Sequence, residues 1–336
     1  MGTDNIRMTE TGDVRQQILE VLLKERDAFI SGNELSQRTG VSRTAVWKHI
    51  KALETAGFRF ASSTRVGYRL TEVPDLLFPA LVAERVPAGQ HIGRKVVWYS
   101  EVDSTNRVAA DWVQENAPHG TVVTAETQTG GKGRRGRGWF SPAGGLWLSV
   151  IFRAPIPVRV AADLTLLTSV AVRRAIVQET GLPVQIKWPN DLLLHGKKIC
   201  GILAEIRADG ETLQHAVIGV GLNSNIPAAA FPHALTDYAT SLAAYSDQPI
   251  SNLQLAGRLF SELEQLFQGL ILHGQGFGHV LDEWRAASAT LGRRVRVQTP
   301  QGLVEGVATD INAGGILYVR QDNGLVVPIH SGDVLF

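Results

Sequence analysis

Between Gly130 and Gly138 the chain reads Gly-Gly-Lys-Gly-Arg-Arg-Gly-Arg-Gly, and Trp139-Phe140 follows at once. Lys132, Arg134, Arg135 and Arg137 crowd positive charge onto one short loop. An anion such as phosphate relieves that repulsion, and the glycines let backbone N–H groups turn toward it at close range. Ordering so much glycine costs conformational entropy, so we expect a mobile loop that closes over a phosphate-bearing ligand. A solvated basic turn or a nucleic-acid tail is the plainer alternative. The adjoining Trp-Phe pair argues that the loop packs against something.

Two familiar motifs nearly fit and fail on context. Gly131-x-Gly133-x-x-Gly136 matches GxGxxG, but that fingerprint must close a strand and open a helix. Here Trp-Phe-Ser-Pro-Ala-Gly-Gly follows, which cannot open one. Gly131-Lys132 is not a P-loop either. Gly133 stands where Ser or Thr is needed, and Glu126 where the leading glycine belongs.

Further candidates lie at the ends of strand-like segments. Lys198 opens the apolar run Ile-Cys-Gly-Ile-Leu. A lysine there is costly to bury unless it meets an anion, the alternative being a strand-end lysine reaching to water. Lys187, Asn190, Asp191 and Asn223 occupy similar positions. Asp103-Ser104-Thr105-Asn106 sits between a strand and a helix, where Asp and Ser suit capping. Its hydroxyls and amide could equally hydrogen-bond a neutral polar ligand, although capping alone is the expectation for the tetrapeptide in isolation. Cys200 is the sole cysteine, which excludes an intramolecular disulfide or a cysteine metal cluster; its apolar neighbours suggest a buried small hydrophobe.

The elements that must position these groups fall into three units. Val14, Ile18, Val21, Leu22 and Phe29 keep helical spacing over 14–29. Residues 31–50 then read as a short helix, a tight turn at Gly40 and a second helix capped by Ser42. That is a helix-turn-helix, with Leu35, Val41, Val46, Ile50 and Leu53 on its buried face. From Leu35 to Leu70 seven basic residues face one acid, which suits phosphate contacts. Phe58–Phe60 and Gly67–Leu70 form a wing. A small helical packing module is the alternative. Val73-Pro74-Asp75 is a linker. Beyond it, helical Leu76–Arg85 and Arg107–Asn116 and strands 95–100, 121–127 and 146–152 lead to a long amphipathic helix, Ala161–Gly181. Strand 184–194 turns at His195-Gly196-Lys197 into 198–206, and 215–222 follows. Residues 225–248 are largely loop, and helices cover 253–273 and 280–287. From Leu291 short alternating strands at 294–299, 303–310, 316–320 and 325–329 make a small SH3-like β-barrel. The fold class is therefore α+β and multidomain: a winged helix-turn-helix over 1–73, a central mixed β-sheet with helices over 76–288, and the barrel over 289–336.

A length of 336 residues accommodates those units, and 44% hydrophobic with 19% charged residues is ordinary for a globular chain. No apolar run reaches the ~18 residues a membrane span needs, and the polar N-terminus lacks a signal-peptide core. The expectation is a cytoplasmic protein with no membrane partner. A net charge of +1 names no partner, so any basic face is local.

In this order, the winged helix, Asp-Ser-Thr-Asn, the Gln128-led glycine–arginine loop with Trp-Phe, Lys187-Trp-Pro-Asn-Asp191, Lys198-x-x-Gly-Ile-Leu, Gly221-x-Asn223 and the small barrel resemble one family. It is that of the bifunctional biotin–protein ligases, the biotin operon repressors. The resemblance covers essentially the whole chain. One departure is Lys132, where the family loop usually carries arginine, so a planar fork becomes a point charge. The resemblance implies a class II synthetase-like central fold. It implies that biotin and ATP with Mg²⁺ form biotinyl-5′-AMP, which then biotinylates one lysine of a biotin carboxyl carrier protein, typically that of acetyl-CoA carboxylase. Ser104, Thr105, Asn106 and Gln128 match positions that recognise the ureido head. Lys132, Gly133 and Arg134 match the closing loop, with Trp139 and Gly201 at the biotin pocket. Lys198 matches the lysine at the biotin carboxylate, and with Arg134 it carries the catalytic charge. Arg137, Lys187, Asn190, Asp191 and Asn223 are assigned to nucleotide or metal. Ser42, Arg43, Thr44, Trp47 and Lys48 would meet operator DNA. The adenylate is the implied corepressor, and a homodimer the implied DNA-bound form. The segment after Asn225 matches no family pattern, and Phe231 is a candidate apolar latch there.

Three other functions compete: a sensor without turnover, a lipoate–protein ligase, and a ligase whose DNA domain acts weakly. The Arg-Arg-x-x-Gly-Gly-Gly pattern of lipoate ligases is not found.

Overall fold

The structure is a computed structural model that describes residues 7–9, 14–63 and 65–336. A short strand β1 (Arg7–Thr9) precedes helices α1 (Val14–Lys24), α2 (Gly32–Thr39) and α3 (Arg43–Thr55), then strands β2 (Arg59–Ser63) and β3 (Gly67–Glu72). Ser31 Oγ caps α2 by accepting from the Glu34 amide at 3.1 Å, and Ser42 Oγ caps α3 through Ala45 at 3.2 Å. Between them Gly40 takes φ +71°, a left-handed turn that suits glycine. Ile18, Leu19, Leu22, Leu35, Val46, Ile50 and Leu53 bury a common core. β2 and β3 pair antiparallel as the expected wing. α1 stops five residues short of Phe29, in the charged turn Glu25-Arg26-Asp27 whose Arg26 reaches Glu84 at 3.0 Å.

The central unit contains α4 (Pro79–Ala83), β4 (Val96–Val102), α5 (Thr105–Gln114), β5 (Val122–Gln128), β6 (Leu146–Phe152), α6 (Ala161–Thr180), β7 (Gln185–Lys187), β8 (Asp191–Leu194), β9 (Lys197–Asp209), β10 (Thr212–Leu222), α7 (Asn252–His273) and α8 (Leu281–Ala286). The sheet order is β1-β4-β5-β6-β10-β9-β8-β7. Only β4 and β5 run parallel, so the sheet is mixed. β6, Leu-Trp-Leu-Ser-Val-Ile-Phe, is buried at every position, as an unbroken apolar strand covered on both faces should be. α6 was expected to be amphipathic, but most of it is buried because α7 packs along it. The linker is also less free than its proline suggested. Asp75 accepts from the Asn252 and Leu253 amides at 2.5 and 2.9 Å, neutralising the start of α7.

Residues 290–336 form an antiparallel sheet ordered β14-β13-β12-β11-β15. Its strands are β11 (Arg294–Thr299), β12 (Gly302–Ile311), β13 (Leu317–Arg320), β14 (Val326–Ile329) and β15 (Asp333–Leu335). β11 alternates exposed and buried along its length. β15 was not foreseen, since three residues carry no alternation to recognise. Trp188 joins this unit to the centre. It is buried, and its indole N–H donates to the Gly315 carbonyl at 3.0 Å. Among the described residues no helix is long and apolar enough to cross a membrane.

Candidate active site

One cavity of about 280 Å³ opens at the ends of β5 and β10 and the start of β9, between the 130–138 loop, the 225–248 segment and β15. Ser104, Thr105, Asn106, Gln128, Lys132, Gly133, Arg134, Arg137, Trp139, Lys187, Asn190, Asp191, Lys198, Gly201 and Asn223 all line it. Sequence positions spread over 120 residues thus converge on one space.

The inner end is polar and carries little charge. Ser104 occupies the N-cap position of α5, yet its side chain makes no capping bond, contrary to the expectation for the isolated tetrapeptide. Gln128 Oε1 accepts from the Thr105 amide at 2.8 Å, and Gln128 Nε2 donates to Ser141 Oγ at 2.9 Å. Beneath them the fully buried Ser149 Oγ lies 2.8 Å from Thr105 Oγ1 and donates to Asn106 Oδ1 at 2.6 Å. Asn106 Nδ2 donates to Glu205 at 2.7 Å and to the Leu203 carbonyl at 3.3 Å. A side chain on Gly219 would collide with the Asn106 amide, so glycine is required there.

The outer end is cationic. Lys198 Nζ pairs with Asp191 at 2.7 Å and lies 5.0 Å from the centre of the Trp139 ring. Burial pulls the Lys187 ammonium below its ordinary pKa, with Asp191 opposing that pull. Asn190 Nδ2 donates to the Ile202 carbonyl at 2.9 Å, and its Oδ1 accepts from Arg134 at 3.2 Å. Asn223 Nδ2 is held by the Thr240 carbonyl at 2.9 Å. The Trp139 ring lies over Gly201 and Gly221; a Cβ at 221 would sit 2.5 Å from Trp139 Nε1.

The glycine–arginine loop is a closed hairpin here. Lys132 bridges Gly138, and the Gly133 amide donates to the Arg137 carbonyl at 2.7 Å. Its repulsion is met by a carboxylate of the C-terminal unit. Asp333 lies 3.5 Å from Arg134, 3.4 Å from Arg135 and 2.7 Å from Arg137. Arg134 also donates to the Gly332 carbonyl at 3.1 Å. Phe140 packs against Phe231 with centroids 6.0 Å apart, beside Trp147 and Ile226. The 225–248 segment is stitched to β9 through Lys198 N to Tyr238 O, 2.7 Å, and Thr240 N to Lys198 O, 3.0 Å.

Sequence reasoning missed Asp333, Glu205, Ser141 and Ser149. Ser149 had a local signal, a lone hydroxyl inside an otherwise apolar strand. Asp333 had none, because its partners lie about 200 positions earlier. Cys200 is buried, and burial raises its thiol pKa strongly, so it is no nucleophile at neutral pH.

A second surface lies on α3. Ser42, Arg43, Thr44, Trp47 and Lys48 are all exposed, Trp47 at 51%. The count of free cations is lower than the sequence suggested. Arg38 is paired with Glu25 and Glu34, and Lys51 with Glu54 at 2.6 Å. Arg65 stands exposed at the wing tip.

Comparison with known proteins accords with this geometry. The Biotin/lipoate A/B protein ligase family matches residues 98–223, an HTH domain matches 14–69, and the Biotin protein ligase C terminal domain matches 290–336. The bifunctional ligase/repressor BirA of Bacillus subtilis (strain 168) is 34% identical over 322 residues, covering 96% of this chain and 98% of its own. The BirA of Escherichia coli (strain K12) is 29% identical over 315 residues, 94% and 95% of the two chains. Among solved structures, the biotin protein ligase from Aquifex aeolicus in complex with biotin and ATP superposes with a TM-score of 0.61 at 25% identity, covering 71% of this chain and 97% of that one.

Proposed function

The chain belongs to the bifunctional ligase/repressor family of biotin–protein ligases, and we infer from its cavity how the ligase chemistry is carried. It is a ligase that attaches biotin to protein and bears a DNA-binding repressor module. The observation that carries the residue assignment is the polarity of this cavity, neutral and hydrogen-bonding at one end and cationic at the other.

The neutral end, Ser104, Thr105 and Gln128, suits the uncharged bicyclic urea of biotin. Asn106 supports them from beneath, since its amide is already bonded to Ser149, Leu203 and Glu205. Trp139 and Gly201 flank the tail, which brings the biotin carboxylate toward Lys198. ATP takes the cationic end, with Lys187, Asn190, Asp191, Asn223 and Arg137 around it and Lys132, Gly133 and Arg134 closing over the phosphates. A carboxylate oxygen of biotin attacks the α-phosphorus, and pyrophosphate leaves. Two anions must approach, so Lys198 and Arg134 offset their repulsion and stabilise charge on the transferring phosphoryl oxygens. The ε-amine of the carrier lysine then attacks the acyl carbon, AMP leaves, and the amine loses a proton. The closed loop keeps water from the mixed anhydride meanwhile. Magnesium would arrive on the nucleotide as part of the substrate. The described residues contain no group of three His, Cys, Asp or Glu able to hold a metal, and Asp191 offers one carboxylate, a donor set that fits Mg²⁺ shared with phosphates.

On the regulatory side, Ser42, Arg43, Thr44, Trp47 and Lys48 enter an operator groove, with Arg65 on the wing against phosphate. The adenylate serves as corepressor and favours a homodimer. We take 1–73, 76–288 and 289–336 as the working units, with a biotin carboxyl carrier protein as acceptor and the cytoplasm as the site of action.

The test is ATP-dependent incorporation of biotin into a carrier domain, followed by mass, with lipoate in parallel. A biotin-sized gain on one lysine, absent with lipoate, supports this function. Biotin binding without any gain would leave a sensor, and a lipoate gain would reassign the pocket.

A further inference from the structure

The cations of the cavity are held in different ways. Lys198 pairs with Asp191 at 2.7 Å, and Arg134, Arg135 and Arg137 share Asp333. Both carboxylates that line the cationic end are thus engaged. Lys187, on β7, lines the same cavity, and among the described residues its ammonium has no ion pair. Lys187 Nζ lies instead 5.0 Å from the centre of the Phe336 ring, just past β15. Arg293 Cζ, just before β11, lies 4.9 Å from the same ring centre. Burial disfavours the charge on Lys187, and the nearby Lys198 and Arg137 repel it. A ring face attracts a cation electrostatically, yet it does not occupy the three N–H donors of an ammonium as a carboxylate would.

We propose that Phe336 is a positioning residue for adenylate formation: its ring steadies the Lys187 ammonium at the cavity and leaves the N–H donors free for the phosphates of the nucleotide. The inference rests on ATP taking the cationic end. A carboxylate in the place of the ring would compete with phosphate for Lys187, whereas the ring lets the ammonium meet the anion without first breaking an ion pair. Phe336 is not among the residues that line the cavity, so it acts through Lys187 and not by touching the ligand.

The experiment measures, on the full chain, kcat/KM for ATP from biotin-dependent pyrophosphate release, with the Kd of biotin alongside. Phe336→Leu keeps an apolar side chain and removes the ring face. It should lower kcat/KM for ATP roughly two- to fivefold, the scale of a cation–π contact at a partly exposed site, and leave biotin affinity as it was. Phe336→Tyr keeps a ring and should restore the unaltered value. In the Lys187→Ala background, where kcat/KM is already low, Phe336→Leu should add nothing, because the two side chains act as one unit. A merely structural role would weaken ATP and biotin together, or would cost the same factor with and without Lys187. Either result overturns the inference, as does an unchanged kcat/KM in Phe336→Leu. If Lys187→Ala itself left kcat/KM for ATP unaltered, the assignment of Lys187 to the nucleotide would fall, an outcome distinct from a Lys187 that matters and a Phe336 that does not.

Discussion

Lys198 already has an anion in hand, Asp191 at 2.7 Å, with the Trp139 ring on another side. The pair holds a strand-end lysine aimed at the cavity. Lys198→Ala should therefore slow adenylate formation by about 100-fold, the usual scale for losing one preorganised charge-stabilising group. Biotin affinity should change much less. Single-turnover pyrophosphate release checks this, and an unchanged rate would pass the catalytic role to Arg134 or Lys187. At the same scale, the resemblance matched Gly201 to the biotin pocket and Gly221 to a Gly-x-Asn motif. Their backbones carry the Trp139 ring, which leaves no room for a Cβ at 221.

At the scale of elements, the loop and β15 act together. Asp333 pairs with the arginines of the loop, which is how a loop expected to be mobile is closed here. Asp333→Ala should return it to an open ensemble, and trypsin should cut within 132–137 several times faster, with cleavage tracking the open population. Biotin with ATP should restore protection; an unchanged cleavage rate would mean that the clasp does not hold the loop. On α3 the exposed cations have a separable task. Arg43→Ala should spare ligation while weakening operator binding and flattening its salt dependence by about one unit of slope, as expected for one lost phosphate contact. Competition binding at several salt concentrations, alongside a ligation assay, would reveal either failure.

Across the whole molecule, polar stitches join segments far apart in the sequence. Glu264 on α7 accepts from the His91 and Ile92 amides at 3.1 and 2.8 Å and meets the His91 ring at 2.8 Å. Burial pushes the Glu264 carboxyl pKa up, but the hydrogen bonds from Ile92 and His91 outweigh burial and leave it below the ordinary value. A depressed carboxylate contributes stability that is complete above its unfolded pKa and is lost as pH falls through the folded one. The melting-temperature gap between the unaltered protein and Glu264→Gln should thus be full at pH 7 and close below about 4.5. A gap that persisted in acid would locate the stabilisation elsewhere. The contrast between chain and fold follows the same division. Local chemistry alone determined the helix-turn-helix, since Ser31, Gly40 and Ser42 act on residues within one turn of themselves. It likewise determined the hairpin at His195-Gly196 and the burial of Cys200. Tertiary structure decided which anion meets which cation. It set Asp333 against the loop, Asp191 against Lys198 and Glu205 beneath Asn106, and it withdrew Arg38 and Lys51 from the DNA face. The physical reason is reach: caps and turns depend on bonds between sequence neighbours, whereas an ion pair or a relay of hydroxyls depends on which strand ends the folded sheet brings within about 3 Å.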